Sequence, residues 1–245
     1  MRVSNEILSV LSAAELSGNS LVLRGQLDRA TYTAVNKVLE AAGWKWNRKA
    51  KAHTCDGEAV DVLEQVLLTG EVTIAKDEFE FFPTPRAIVV ELMELAAIQP
   101  GMKVLEPSAG KGAIAYAIAE IAKPDCIELM EANYSALAGD IKLGTVTRTD
   151  FLTVEPSGDY DRVVMNPPFS RQKDIRHVMH AFKFLKPGGR LVSVMSNGVT
   201  FRGDRLTNEF RALVESADGV IDELPEGAFK DSGTMVRTVV VTLNA

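Results

Sequence analysis

The residues with the most specific chemistry in this chain are Asn166-Pro167-Pro168-Phe169. Two consecutive prolines exclude a helix and fix the backbone, so the Asn166 side chain and the Pro167 carbonyl can form a rigid pair of acceptors. An amino group on an aromatic ring is a poor nucleophile because its lone pair is delocalised. With both N–H bonds directed at such acceptors, the nitrogen is drawn toward tetrahedral geometry and its lone pair toward an electrophilic carbon. Phe169 offers a flat face to a base extruded from a duplex. Neither Cys55 nor Cys126 follows a proline, as a nucleophile for ring carbons would be expected to, so the chemistry expected is direct displacement without a covalent enzyme intermediate. The plain alternative is a strand-terminating turn that happens to hold Pro-Pro.

The second motif is Val104-Leu105-Glu106-Pro107-Ser108-Ala109-Gly110-Lys111-Gly112, a strand running into a glycine turn and then a helix. Such a turn lets backbone amides approach a ligand closely. A phosphate loop would need Gly at position 105 and Ser or Thr at 112, where Leu105 and Gly112 stand, which removes the nucleoside triphosphate reading. The third glycine of a dinucleotide fingerprint is missing after Gly112, and Pro107 sits inside the turn. About 20 residues further on, Glu131-Ala132 falls where a carboxylate can accept both ribose hydroxyls. Asp150-Phe151 follows the next strand, with an acceptor for an adenine amino group and a ring to pack on its face. Singly, each acid reads as a solvated strand-end charge. Together, at consecutive strand ends, they predict a site for an adenosine-containing ligand without a pyrophosphate.

These motifs need strands to carry them. From Gly101 onward, apolar runs alternate with helical stretches, which predicts an α/β fold with a doubly wound, mostly parallel seven-stranded sheet. The strands are expected near Lys103–Glu106, Cys126–Glu131, Thr145–Arg148, Arg162–Asn166, Arg190–Ser196, Gly219–Leu224 and Val236–Leu243. Helices are expected over Gly112–Ala122, Ile175–Leu185 and Leu206–Ser216, with Lys186-Pro187-Gly188-Gly189 as a helix stop and tight turn. No crossover helix fits between the last two strands, so the final one should be an antiparallel hairpin partner.

A small N-terminal α+β module is expected over 1–76, with the catalytic domain over 77–245 and the boundary near Ala75–Glu78. Within the module, Asp28–Ala42 reads as a helix capped by Asp28 and stopped by Gly43. Trp44–Thr54 reads as a basic hairpin turning at Arg48-Lys49, and Ala59–Leu68 as a further helix. Helix followed by basic hairpin resembles a winged-helix module, with a bland capping domain as the alternative. Lys45, Arg48, Lys49 and Lys51 fall in a stretch without an acidic residue between Glu40 and Asp56. They are candidate phosphate contacts, against the simpler reading of a solvated charged face. Trp44 and Trp46 could add stacking, or fill the hairpin core.

The bulk numbers bound these readings. A chain of 245 residues, 46% hydrophobic, can bury one substantial core beside a small module. A formal net charge of -6 argues against a surface that coats nucleic acid throughout, and confines such contacts to local basic stretches. The N-terminal apolar stretch is interrupted by Asn5, Glu6, Ser9, Ser12 and Glu15, unlike a signal peptide, and no stretch has the length and apolarity of a membrane span. Two distant cysteines match no metal spacing, and His177 and His180 lack a third ligand, so neither a metal nor a disulfide is expected. The expected location is cytoplasmic.

The order Phe82-Pro83-Thr84-Pro85, then Leu105-Glu106-Pro107-Ser108-Ala109-Gly110, then Asn166-Pro167-Pro168-Phe169 resembles the gamma arrangement of adenine-N6 DNA methyltransferases, within the Rossmann-like class I methyltransferases. The resemblance covers Phe79 to Leu243. It implies S-adenosyl-L-methionine as cofactor and DNA as partner, and direct methyl transfer needs no metal. It also implies that Thr84 and Pro85 contact the methionine part of the cofactor, Glu131 its ribose and Asp150 its adenine. Phe229 resembles the second aromatic that meets the target base, with a core role as the alternative. Gamma enzymes carry a target-recognition domain after the sheet. Here recognition is expected from the N-terminal module, from a loop such as Phe201–Leu206, from a partner chain or homodimer, or to be undemanding, as in small orphan enzymes of phages and plasmids that lack a nuclease. Glutamine-N5 methyltransferases of release factors share the Asn-Pro-Pro-aromatic tetrapeptide, and RNA base methyltransferases are a further alternative. A module that keeps the fold to sense the cofactor while binding nucleic acid is the non-enzymatic one.

Overall fold

The computed structural model describes residues 1–55, 58–72 and 82–245. They divide into two compact units: the described parts of Met1–Asp77 with Asn197–Asn208, and those of Glu78–Ser196 with Glu209–Ala245. The boundary expected near Ala75–Glu78, and Phe79 of the extended segment, lie outside the described residues.

The first unit runs α1 (Asn5–Ser12), β1 (Glu15–Ser17), β2 (Ser20–Val22), α2 (Arg29–Ala41), β3 (Lys45–Asn47), β4 (Ala52–Thr54) and α3 (Ala59–Thr69). Its antiparallel sheet has the order β1-β2-β4-β3, which leaves β3 on an edge. Asp28 caps α2, accepting from the backbone N–H groups of Ala30 and Thr31 at 2.8 and 3.1 Å, as its position before an apolar-periodic run requires. Leu8, Leu11, Leu21, Val35, Leu39 and Trp44 form the core of this unit.

The second unit runs α4 (Arg86–Ala96), β5 (Val104–Glu106), α5 (Ala113–Ala119), β6 (Pro124–Glu128), α6 (Glu131–Leu137), β7 (Val146–Arg148), β8 (Tyr160–Met165), α7 (Lys173–Phe182) and β9 (Leu185–Ser196). After β9 the chain contributes α8 (Gly198–Phe201) to the first unit, then continues through α9 (Arg205–Ser216), β10 (Val220–Glu223) and β11 (Thr238–Asn244). The seven strands expected from the sequence are all present, in the order β10-β11-β9-β8-β5-β6-β7. Neighbours from β7 to β9 pair in parallel, and β11 is antiparallel to both β9 and β10. Val104, Leu105, Val163, Val164, Leu191 and Val192 of the central strands are fully buried, as a sheet covered on both faces demands. Among the described residues, no helix is long and apolar enough to cross a membrane.

Two local expectations are corrected. Lys186–Gly189 is not a turn ahead of the strand but an irregularity inside β9. Leu185 pairs with Tyr160 and Arg190 with Arg162, and Gly188 at φ 77 absorbs the extra residues. The second strand of this sheet ends at Glu128, not Glu131, because Glu131 already opens α6.

The chain passes from β5 outward to β6 and β7, then returns to the other side of β5 as β8. A crevice therefore opens beyond the carboxyl ends of β5 and β8, the position at which open parallel sheets bind ligands.

Candidate active site

Both motifs meet in this crevice. After Glu106, the chain turns through Gly110 at φ 55 and Gly112 at φ 84, left-handed conformations that favour glycine. The turn is tied to β6 where Ala109 N–H donates to the Ile127 carbonyl at 3.0 Å. A Cβ on Gly112 would lie 2.8 Å from both the Tyr116 ring and a Leu137 methyl, so this glycine also lets α5 and α6 close on the turn.

Glu128, 7% exposed, stands at the end of β6 and lines the pocket. Its Oε2 accepts from Gly110 N–H at 2.6 Å and its Oε1 from Met130 N–H at 2.7 Å. Each oxygen retains a lone pair, since an ionised carboxylate has about four acceptor sites. Behind the turn, Glu106 is 1% exposed and its Oε2 has no partner. Burial pushes its carboxyl well above the usual range; a bond from Ala115 N–H opposes the shift and the charge of Glu128 adds to it.

On the other side, Asp150 lines the pocket and accepts from Leu152 N–H at 3.0 Å, which caps the short turn Phe151–Thr153. Phe151 is buried at the pocket wall, with its ring 4.8 Å from that of His180 and 5.2 Å from that of Phe184. His180 Nε2 pairs with the Val154 carbonyl at 2.9 Å, and His177 Nδ1 with the Lys173 carbonyl at 2.8 Å. Burial lowers the His177 pKa below the usual imidazole value. These histidines are packing and wall groups.

Asn166 follows β8 and has one fixed orientation. Its Nδ2 donates to Thr84 Oγ1 at 3.1 Å and to the Phe82 carbonyl at 3.3 Å. Its Oδ1 is buried with no partner, at a residue that lines the pocket. Pro167, Pro168 and Phe169 continue the lining, and Phe169 is 3% exposed. Arg171 and Gln172 then adopt φ 52 and 57, strain of a kind that clusters at functional sites. Asp174 holds the next helix in place: its Oδ2 accepts from Ser196 N–H and Oγ at 2.9 and 2.8 Å, pinning the start of α7 to the end of β9.

Of the residues expected from the sequence, the pocket gathers Phe82, Pro107, Ser108, Asp150, Phe151 and Asn166 through Phe169. Thr84 acts on the pocket through Asn166, while Pro85 caps α4 and Ala109, Gly110 and Gly112 shape the turn. Glu131 and Ala132 are not among the lining residues: both are exposed at the start of α6, where Glu131 pairs with Arg148. Phe229 is 0% exposed and is not among the lining residues. Glu128, Lys173 and His177 are lining residues that sequence reasoning missed. Glu128 is legible in principle. Glu131-Ala-Asn-Tyr-Ser-Ala-Leu is a helix opening with an acid in its first turn, so the strand before it has to stop earlier.

A family model described as methyltransferase small domain matches residues 87–219, more than half of the chain, and the chain belongs to that family. No curated protein matches the chain. Among solved structures, it is similar to the type I restriction-modification system methyltransferase subunit from Streptococcus thermophilus, with 18% identity, a TM-score of 0.59, and coverage of 87% of this chain and 53% of the other. The M protein of the type I restriction enzyme EcoKI gives 17% identity, a TM-score of 0.57, and coverage of 97% and 56%. A Listeria monocytogenes protein assigned to the class I S-adenosylmethionine-dependent methyltransferases gives 17%, 0.52, 76% and 67%. The chain thus has the class I methyltransferase fold and spans little more than half the length of the two restriction-modification proteins.

Proposed function

We propose that the chain transfers the methyl group of S-adenosyl-L-methionine to the N6 amino group of adenine in DNA, by direct displacement on an extruded base. The observation that carries this reading is the buried, unpartnered Oδ1 of Asn166. Both hydrogens of its own amide are directed at Phe82 and Thr84, so the oxygen is presented as an acceptor, and a buried acceptor left unmade is costly. An amino group donating to it, with its second hydrogen on the Pro167 carbonyl, satisfies that acceptor and readies the nitrogen. Phe169 and the two prolines supply the flat, rigid wall against which the base is held.

The cofactor supplies the electrophilic sulfonium methyl, and the residues of the crevice fit it. Glu128 takes the ribose role that the resemblance gave to Glu131, because it is the carboxylate at the strand end with lone pairs to spare. Asp150 and Phe151 line the same pocket, where Asp150 would accept from the adenine amino group and Phe151 would pack on the ring. Ser108 and Ala109 of the glycine turn, with Thr84 and Pro85, would hold the amino-acid part. Bound in this crevice, the cofactor would supply its methyl group as an electrophilic carbon with the thioether as leaving group, while Asn166 and Pro167 would hold the amino group, whose proton would pass to solvent.

DNA as substrate rests on the gamma order of motifs and on the likeness to restriction-modification proteins. A partner chain is in keeping with one of these being a subunit. The small orphan form found on phages and plasmids is part of this proposal. Purified protein incubated with labelled cofactor and, separately, DNA, RNA and release factor tests the reading: label is expected in DNA, as N6-methyladenine. Label confined to protein or RNA rejects it.

A further inference from the structure

The first unit carries a surface that the methyl-transfer site does not use. Its edge strand β3 and the following turn hold Lys45, Arg48, Lys49 and Lys51, all exposed. Among the described residues none of these four cations is in an ion pair, in a chain whose formal net charge is -6. The turn is built to hold them. Asn47 Oδ1 accepts from the backbone N–H groups of Lys49 and Ala50 at 3.0 and 3.1 Å, fixing the tip. Lys51 sits at φ 52, where glycine or asparagine costs less, so a lysine is kept at a backbone position that does not favour it.

Beside these cations stands Trp46, 51% exposed, whereas Trp44 is 1% exposed and belongs to the core. The Trp46 indole is not loose. It meets the ring of His53 across the strand pair, with centroids 5.0 Å apart and planes at 64°. His53 is itself buried and tied through Nε2 to Asn36 Oδ1 at 2.7 Å. An edge contact of this kind holds the indole while leaving ring surface open to solvent.

From a held, open indole among unpaired cations we infer that the β3–β4 hairpin binds single-stranded DNA, its cations on successive phosphates and Trp46 stacked on an unpaired base. Duplex phosphates would satisfy the cations equally. In a stacked duplex, however, the faces of the bases are covered, and an indole beside the backbone has nothing to stack on. The partner that uses both features is a strand with its bases exposed. This deepens the reading of DNA as substrate, but it concerns binding alone and needs neither cofactor nor methyl transfer.

The test uses the full chain without cofactor, a thymidine oligonucleotide, and a blunt duplex of matched length. The protein has two tryptophans, one of them buried, so a change in intrinsic fluorescence reports on Trp46. Quenching by the single strand is expected, with weaker binding of the duplex. Trp46→Ala should weaken single-strand binding by about tenfold and leave its salt dependence unchanged, since a stacked base gives that order of effect. Trp46→Phe, which keeps a ring, should retain most of the affinity. Arg48→Glu with Lys49→Glu should make the slope of log affinity against log salt shallower by about 1.4, because two fewer phosphates of a single strand are neutralised. Duplex binding at least as tight, or full affinity in Trp46→Ala, overturns the proposal. A chain that binds the oligonucleotide in this way yet methylates only protein keeps the surface and loses the proposed substrate.

Discussion

Asn166 Nδ2 lies 3.1 Å from Thr84 Oγ1, so a residue far upstream in the chain decides which way the amide at the end of β8 faces. With the nitrogen engaged, the oxygen is left as the acceptor in the pocket. Asn166→Ala should lower the rate of methyl transfer by at least about a hundredfold, the usual scale for losing one preorganised polar group at a reacting centre, with cofactor affinity nearly unchanged. Thr84→Val keeps the shape and removes one hydrogen bond, about 1 kcal/mol of orientation, for a fall in kcat of about fivefold. Single-turnover rates and cofactor titration separate the two effects. Wild-type turnover in Asn166→Ala would show that this acceptor is not catalytic.

A second pair of residues distinguishes the acids of the β6 to α6 segment. Glu128 accepts from the Gly110 and Met130 amides inside the pocket, whereas Glu131 pairs with Arg148 at an exposed site. Glu128→Gln removes the charge from a buried, hydrogen-bonded carboxylate, so cofactor affinity should fall by roughly tenfold or more. Glu131→Ala should leave it within about twofold, as expected for an exposed pair. Calorimetric titration with the cofactor reads both, and the opposite ranking returns the ribose role to Glu131.

The contrast between these two acids shows where the sequence is legible and where it is not. The seven strands can be read because each is a short apolar run with turn residues around it, and their parallel order follows from the helices between them. The end of β6 is masked because Leu129 and Met130 prolong the apolar run beyond Glu128, and only the helix opening at Glu131 marks that the strand must stop earlier. Phe229 matches a motif pattern, but a sequence pattern does not separate a ring at a pocket from one in the interior, and this ring is fully buried. The β1 and β2 strands, three residues each, are too short to show an alternation. His177 reaches the pocket wall only because Asp174 pins α7 to β9, a long-range contact that periodicity does not encode.

Gly112 is held by both conformation and space. At φ 84, with a Cβ 2.8 Å from the Tyr116 ring and from Leu137, Gly112→Ala combines a left-handed backbone with a clash. Gly101 has φ 86 and open space around it, so Gly101→Ala has only the backbone cost of about 1–2 kcal/mol. The clash should add about 1–3 kcal/mol for Gly112→Ala. Urea denaturation of the two variants measures the difference, and equal losses would mean that Tyr116 and Leu137 move aside freely.

Glu106 sets a pH dependence whose sign follows from its burial. Its folded pKa is raised above the unfolded value of about 4.3, so the folded state holds a proton that the unfolded state gives up. The contribution of the neutral acid is fully present below the unfolded pKa and is lost as pH rises through the folded pKa. Glu106→Gln keeps an acceptor for Ala115 N–H and removes the titration. The variant should therefore gain stability relative to the wild type as pH rises from 5 toward 8, by up to about 1.4 kcal/mol per pH unit while the folded carboxyl stays protonated. Urea unfolding at a series of pH values measures the gap between the two proteins. A constant gap would mean that Glu106 ionises in the folded protein as it does in the unfolded chain, and that the crevice beside Glu128 is wetter than its buried, unpartnered oxygen implies.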